Sequence, residues 1–174
     1  FLFWMQHWQD PELFKNDVIS KYFQTVTPFG FTALHYLLNK IGIEPFITNK
    51  LIILPLFLST GVLAYKLAFS IRPIATVAVA GSWLTCFFLS LIDQSLLSGT
   101  PRAFAVPLFL WFLTSVSKQS NFQIALSCAM QALFYPPISM ISAGVLLLSI
   151  IRWLPKKKGI GKNKKKLMQF LVVN

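Results

Sequence analysis

Residues 51–70, LIILPLFLSTGVLAYKLAFS, carry a single charge, Lys66. About 20 apolar residues is the length an α-helix needs to cross the hydrocarbon core of a bilayer, where every backbone N–H and C=O must find its partner inside the segment. The stretch is therefore predicted to span as a helix, with Pro55 and Gly61 tolerated inside it. Residues 74–92 form a second span after a tight Ile71–Arg72–Pro73 turn, and 103–117, AFAVPLFLWFLTSVS, a shorter third. Two short apolar pieces follow, 122–134 and 138–153, parted by Tyr135, Pro136 and Pro137. The paired prolines remove two backbone donors and push Tyr135 out of helical geometry, so a hairpin or a broken helix is expected there. A chain that is 55% hydrophobic and 12% charged, with 17 Phe and 5 Trp, belongs with membrane proteins on composition too. The expected fold class is all-α: a polytopic bundle of transmembrane helices with a helical first extracytoplasmic loop.

The front of the chain reads differently. Residues 1–8, FLFWMQHW, are too short to span and read as the last turns of a transmembrane helix, with Trp4 and Trp8 suited to the interfacial aromatic belt. Within 18–46 the apolar positions Phe31, Leu34, Leu37, Leu38 and Ile41 recur at helical spacing, which predicts an amphipathic helix on the membrane surface, with Gly42 as its stop. His35 falls on that surface pattern, and neither it nor His7 has the spacing of a metal ligand. Cys86 and Cys128 sit in apolar segments without a CxxC motif and read as small buried hydrophobes. The opening Phe1 and the closing LMQFLVVN, which resembles the start of a further transmembrane helix at 167–174, suggest one membrane domain cut from a longer polytopic protein.

Lysine and arginine set an orientation. The net charge of +11 invites a nucleic-acid reading, but seven of the 16 basic residues lie in KKKGIGKNKKK, 156–166, between apolar stretches. A cytoplasmic basic loop at 154–166 explains that run better than nucleic acid does. Counting back from it puts 117–121 and the 71–73 turn inside, and residues 9–50, 93–102 and the Tyr135–Pro137 break outside. The acids were not used in this assignment, yet Asp10, Glu12, Asp17, Glu44 and Asp93, all the acids of the chain, fall outside.

Three places could carry chemistry. QDPELFKND, 9–17, gathers Asp10, Glu12 and Asp17 in one polar loop. A carboxylate there can act as a general base toward a hydroxyl or share a divalent cation with a neighbour; equally, Asp17 can be the N-cap of the helix that follows. In LIDQSLLSGTPRAF, Arg102 sits at a helix start on the outer side, able to grip a phosphate in bidentate fashion, to pair with Asp93, or to snorkel to headgroups. In ALFYPPIS, Tyr135 and Ser139 either line a wet cavity beside the broken helix, with Asp93, or mark a simple kink.

These residues together resemble the N-terminal part of bacterial integral-membrane proteins of the GT-C glycosyltransferase class. The likeness is one of pattern: a helix end, the acid-bearing outer loop QDPELFKND with amphipathic helices, paired spans, SGTPRAFAVPL, and the ALFYPPIS break. It implies a multi-pass protein of the bacterial plasma membrane that takes a sugar from a polyprenyl-phosphate-linked donor on the extracytoplasmic side. Carried over, Asp10 is the base that activates an acceptor hydroxyl, Glu12 or Asp17 assists it or binds a metal ion, and Arg102 contacts the donor phosphate. The class commonly shows adjacent acids, whereas here Pro11 separates Asp10 from Glu12. A non-catalytic membrane protein or a transporter subunit is the alternative, although the spans carry almost no ionisable residue for a transport path.

Overall fold

The computed structural model describes residues 2–91 and 97–153, and these are all-helical, with no strand among them. A 3₁₀ segment, Phe3–Trp8, opens the chain. Helices α1 (Val18–Val26) and α2 (Phe29–Lys40) follow, then the long α3 (Pro45–Ile71) and α4 (Ala75–Leu91). A 3₁₀ turn, Pro101–Phe104, leads into α5 (Ala105–Ser117), α6 (Asn121–Phe134) and α7 (Pro136–Trp153). The expected helical segments between 51 and 153 are thus present, with shifted ends, while the basic loop at 154–166 and the segment at 167–174 lie outside the described residues. α3 begins six residues before the predicted span because Pro45 suits a first helical turn, and at 27 residues it is about 40 Å long. Among the described residues it is the one helix long and apolar enough to cross a membrane; Ala75–Leu91, Pro101–Ser117 and Pro136–Leu148 are shorter apolar helices.

The opening segment departs from the expected helix end at the interface. Phe3–Trp8 is a 3₁₀ turn whose Trp4 and Met5 are buried, packed in one core with Phe31, Ile52, Leu56 and Phe104. α2 ends as the sequence predicts: Gly42 takes φ +89°, and the Ile43 N–H reaches back to the Leu38 carbonyl at 3.1 Å. Its buried stripe is not the expected one. Gly30, Phe31 and His35 face the core, while Leu37 and Ile41 are exposed. His35, assigned to the surface by spacing, has no exposed area at all.

Helices α3 and α4 meet through small residues, which let two helix backbones approach closely. Ala64, Ala78 and the two glycines Gly61 and Gly81 lie along the seam, and Ser82 Oγ donates to the Gly61 carbonyl at 2.7 Å. Buried Gln131 ties three helices. Its Nε2 donates to the Leu108 carbonyl of α5 at 3.1 Å, and its Oε1 accepts from Ser142 Oγ of α7 at 2.6 Å. Ser117 Oγ donates to Ser70 Oγ at 2.9 Å, so α3 and α5 run in the same direction and finish together.

The other end gathers the starts of α3, α5 and α7 and the finish of α6, and α2 lies across it. Gly30 is pressed so close to α6 that a Cβ there would stand 2.9 Å from the Leu133 carbonyl oxygen and 3.0 Å from Phe134 Cδ2. Because one of these neighbours is backbone, it cannot swing aside. Gly30→Ala is expected to lower stability by about 1–3 kcal/mol, measured as an earlier thermal transition of the detergent-solubilised protein, whereas Gly144→Ala, which meets nothing within 4 Å, leaves it unchanged or raised.

Candidate functional site

The three loop acids are each engaged by neighbours in sequence. Asp17 is the N-cap of α1: its Oδ1 accepts from the Ile19 N–H at 3.2 Å and its Oδ2 from the Ser20 N–H at 3.1 Å. Both oxygens satisfy donors that a helix start leaves open, so the capping alternative is the one the fold realises. Glu12 takes Lys15 Nζ on both oxygens, at 3.1 and 3.4 Å, in an exposed pair of small energetic weight. Asp10 Oδ1 accepts from the Glu12 N–H at 3.1 Å across Pro11, an Asx-type turn. Of the three, Asp10 alone keeps a carboxylate oxygen without a hydrogen-bond partner among the described residues.

Arg102 and Tyr135, far apart in sequence, are brought together. They border an open groove of about 830 Å³ between the α1–α2 connection, the turn entering α5 and the α6–α7 break. Tyr135 is extended there, at φ −151° and ψ 84°, as the two prolines require. Arg102 sits, exposed, in the 3₁₀ turn rather than at the start of a regular helix. The preceding turn is fixed from α3: Asn49 Nδ2 donates to the Ser98 carbonyl at 3.4 Å, and Gly99, at φ +62°, leaves no room for a Cβ against the Asn49 carboxamide.

The third wall is Gln24, Thr25, Thr27 and Thr32 around Pro28, residues the sequence reading passed over. A glutamine and three threonines crowded around one proline, between two amphipathic helices, were the available signal. Thr25 and Thr32 hydroxyls donate to the Tyr22 and Pro28 carbonyls, at 2.7 and 3.3 Å, and Thr27 donates likewise to Phe23. With their protons committed, what these oxygens still offer a ligand is acceptor capacity.

Other expected members lie elsewhere. Asp10, Glu12 and Asp17 do not line the groove. Ser139 does not either: its Oγ turns back to donate to the Pro136 carbonyl at 2.7 Å, the local bond a serine makes in a first helical turn. Asp93 lies outside the described residues. Among the described residues no three His, Cys, Asp or Glu side chains converge, and both cysteines are free.

The groove thus combines a guanidinium, a phenol, an amide and several hydroxyls with apolar Val26, Pro28 and Phe29, and no carboxylate among the described residues. Arg102 suits an anion with planar oxygens, and the threonine oxygens suit a partner rich in hydroxyl donors. Compared with known family models, curated proteins and solved structures, the chain matches none.

The capping role of Asp17 separates it from any chemistry. Asp17→Ala is expected to lower stability by about 0.5–2 kcal/mol and Asp17→Asn, a good cap, by much less; equal losses in the two, read by thermal unfolding, would remove the cap.

Proposed function

We propose that this chain is a multi-pass membrane protein of the GT-C glycosyltransferase type that holds a polyprenyl-phosphate-linked sugar at the Arg102–Tyr135 groove. The single observation that carries the reading is the convergence of a cation and a phenol from separate segments on one open groove. Arg102 grips the phosphate, Tyr135 donates to it, and the threonine oxygens on the facing wall accept from the sugar's hydroxyls. The lipid tail runs along the apolar helices. Val77, Val79, Trp83, Phe87 and Phe88 of α4 and Leu54, Leu58 and Val62 of α3 are all exposed large apolar side chains, a surface that suits lipid and not water. On this reading α3 to α7 are embedded, with residues 9–50 extracytoplasmic and 154–166 cytoplasmic in a bacterial plasma membrane.

Asp10 is the base in this scheme, as the loop acid with an oxygen to offer. A second reading rests on a groove whose described lining binds but holds no carboxylate base: a subunit that binds a lipid phosphate without transferring a sugar.

Two substitutions separate these. Arg102→Gln is expected to weaken binding of a polyprenyl-phosphate sugar by about tenfold to a hundredfold, the worth of one charged hydrogen-bonding group. Asp10→Asn is expected to bind the donor normally and lose transfer by about 10²–10⁴. Donor binding without transfer in the parent protein selects the subunit reading, and unaltered binding by Arg102→Gln rejects both.

The sidedness has its own test. With Cys86 and Cys128 replaced by alanine, an impermeant thiol reagent outside intact cells is expected to label a cysteine at the exposed position 25 and to spare one at exposed position 119. The reverse pattern would invert the topology.

A further inference from the structure

Beneath the groove its two walls are joined by a column of rings. His35 lies over Phe31 with ring centroids 4.2 Å apart. Phe31 meets Phe104 edge to face at 6.2 Å, and Phe104 stacks on Phe134 at 4.5 Å. Phe104 shares its 3₁₀ turn with Arg102, and Phe134 immediately precedes Tyr135. The column therefore ends on the two residues that define the groove. At its inner end, His35 Nδ1–H donates to the Phe31 carbonyl at 3.0 Å, which holds the imidazole over the Phe31 ring and fixes the tautomer. Its Nε2 is buried and has no hydrogen-bond partner in the protein.

We propose that His35 is a positioning residue for the groove: by holding Phe31 against Phe104 and Phe134 it sets the separation of Arg102 and Tyr135, and only the neutral imidazole can do so. A proton on Nε2 would create a second donor where the described residues offer no acceptor, and a cation–π contact with the Phe31 ring offsets only part of the cost of burying that charge. Burial accordingly pushes the His35 pKa below its ordinary 6.5, against an opposing pull from the Phe31 carbonyl. The sign follows from linkage. Below pH 6.5 an opened column takes up a proton that the closed column refuses, so closure is fully favoured above that pH and is lost as pH falls toward the lowered value. The ionisable groups on the surrounding elements are Tyr36 and Lys40 on α2, His7 on the opening segment, Glu44 and Lys50 at the start of α3, Arg102, and Cys128 and Tyr135 on and after α6. None of them makes a hydrogen bond or an ion pair with the imidazole.

The test uses the full chain in nanodiscs, with Cys86 and Cys128 replaced by alanine and spin labels at positions 24 and 137 on facing walls. The distance distribution is expected to be narrow near about pH 7.5 and to broaden near about pH 5, and to stay narrow at both in His35→Phe, which stacks but cannot charge. Should phenylalanine not fit, His35→Gln, also uncharged throughout, must give the same pH independence. A parallel titration uses short-chain phosphatidylglycerol, whose phosphodiester does not titrate in this range. Its affinity is expected to fall about tenfold over the interval, the equivalent of one pKa unit of coupling, and to be unchanged by pH in His35→Phe. A parent distribution indifferent to pH, or one that broadens equally in both uncharged variants, overturns the proposal. The titration rests on the anion-site reading above, whereas the distances do not. Absent phosphatidylglycerol binding with pH-dependent distances retained would therefore reject the anion site and uphold the positioning role.

Discussion

At Gly30 the backbone of α2 comes so near the Leu133 carbonyl that no side chain fits between them, and what is gathered at that end of the bundle depends on this approach. It lets Phe31 reach inward, fully buried, to meet Phe104 and, through it, Phe134. Three segments far apart in sequence are fastened at one point: the first loop, the turn before α5 and the break after α6. Dispersion between rings is modest per pair, but interlocked aromatic contacts have few alternative arrangements. A small displacement of α2 would therefore be felt at Arg102 and Tyr135 together.

Along the bundle the dominant constraint is different. Under the proposed embedding in lipid, helices with so much exposed apolar surface gain little by burying more of it, and their association rests on fit and on polar groups that find partners between helices. Ser82 on the Gly61 carbonyl, Ser117 on Ser70, and Gln131 between Leu108 and Ser142 are such partners. The hydroxyls of Thr60, Thr85, Ser90, Thr114 and Ser115 bond back to their own helices and ask nothing of a neighbour. The lengthwise packing is thereby specified at a few crossings, while the loop end is specified by aromatic contacts.

The acids show how local chemistry and function can compete for one side chain. Asp17 lies where an N-cap is needed, Glu12 lies three residues from Lys15, and Asp10 closes a turn over Pro11. Each contact spans only a few residues and follows from the sequence of the loop. None of the three acids reaches the groove. Arg102, Tyr135 and the threonine oxygens, not these acids, are among the polar groups that the described residues bring to its lining.

The amino-acid sequence by itself determined the helices, because apolar length, proline position and the glycine at 42 act within a few residues. The segments between 51 and 153 and the break at Tyr135 follow from those alone. Arg102 and Tyr135 could be named as residues of interest from their local setting, an arginine after Pro101 and a tyrosine before two prolines. That they face one another could not, since the contact joins segments more than 30 positions apart through Phe104 and Phe134. Only tertiary structure decided which face of α2 is buried. Helical spacing groups the apolar residues of α2 without saying which of them meet the protein, whereas α2 packs along Gly30, Phe31 and His35 because of the close approach at Gly30. The threonine wall was hidden for the same reason: a hydroxyl's value to a ligand depends on where its proton goes, and that is settled by backbone geometry.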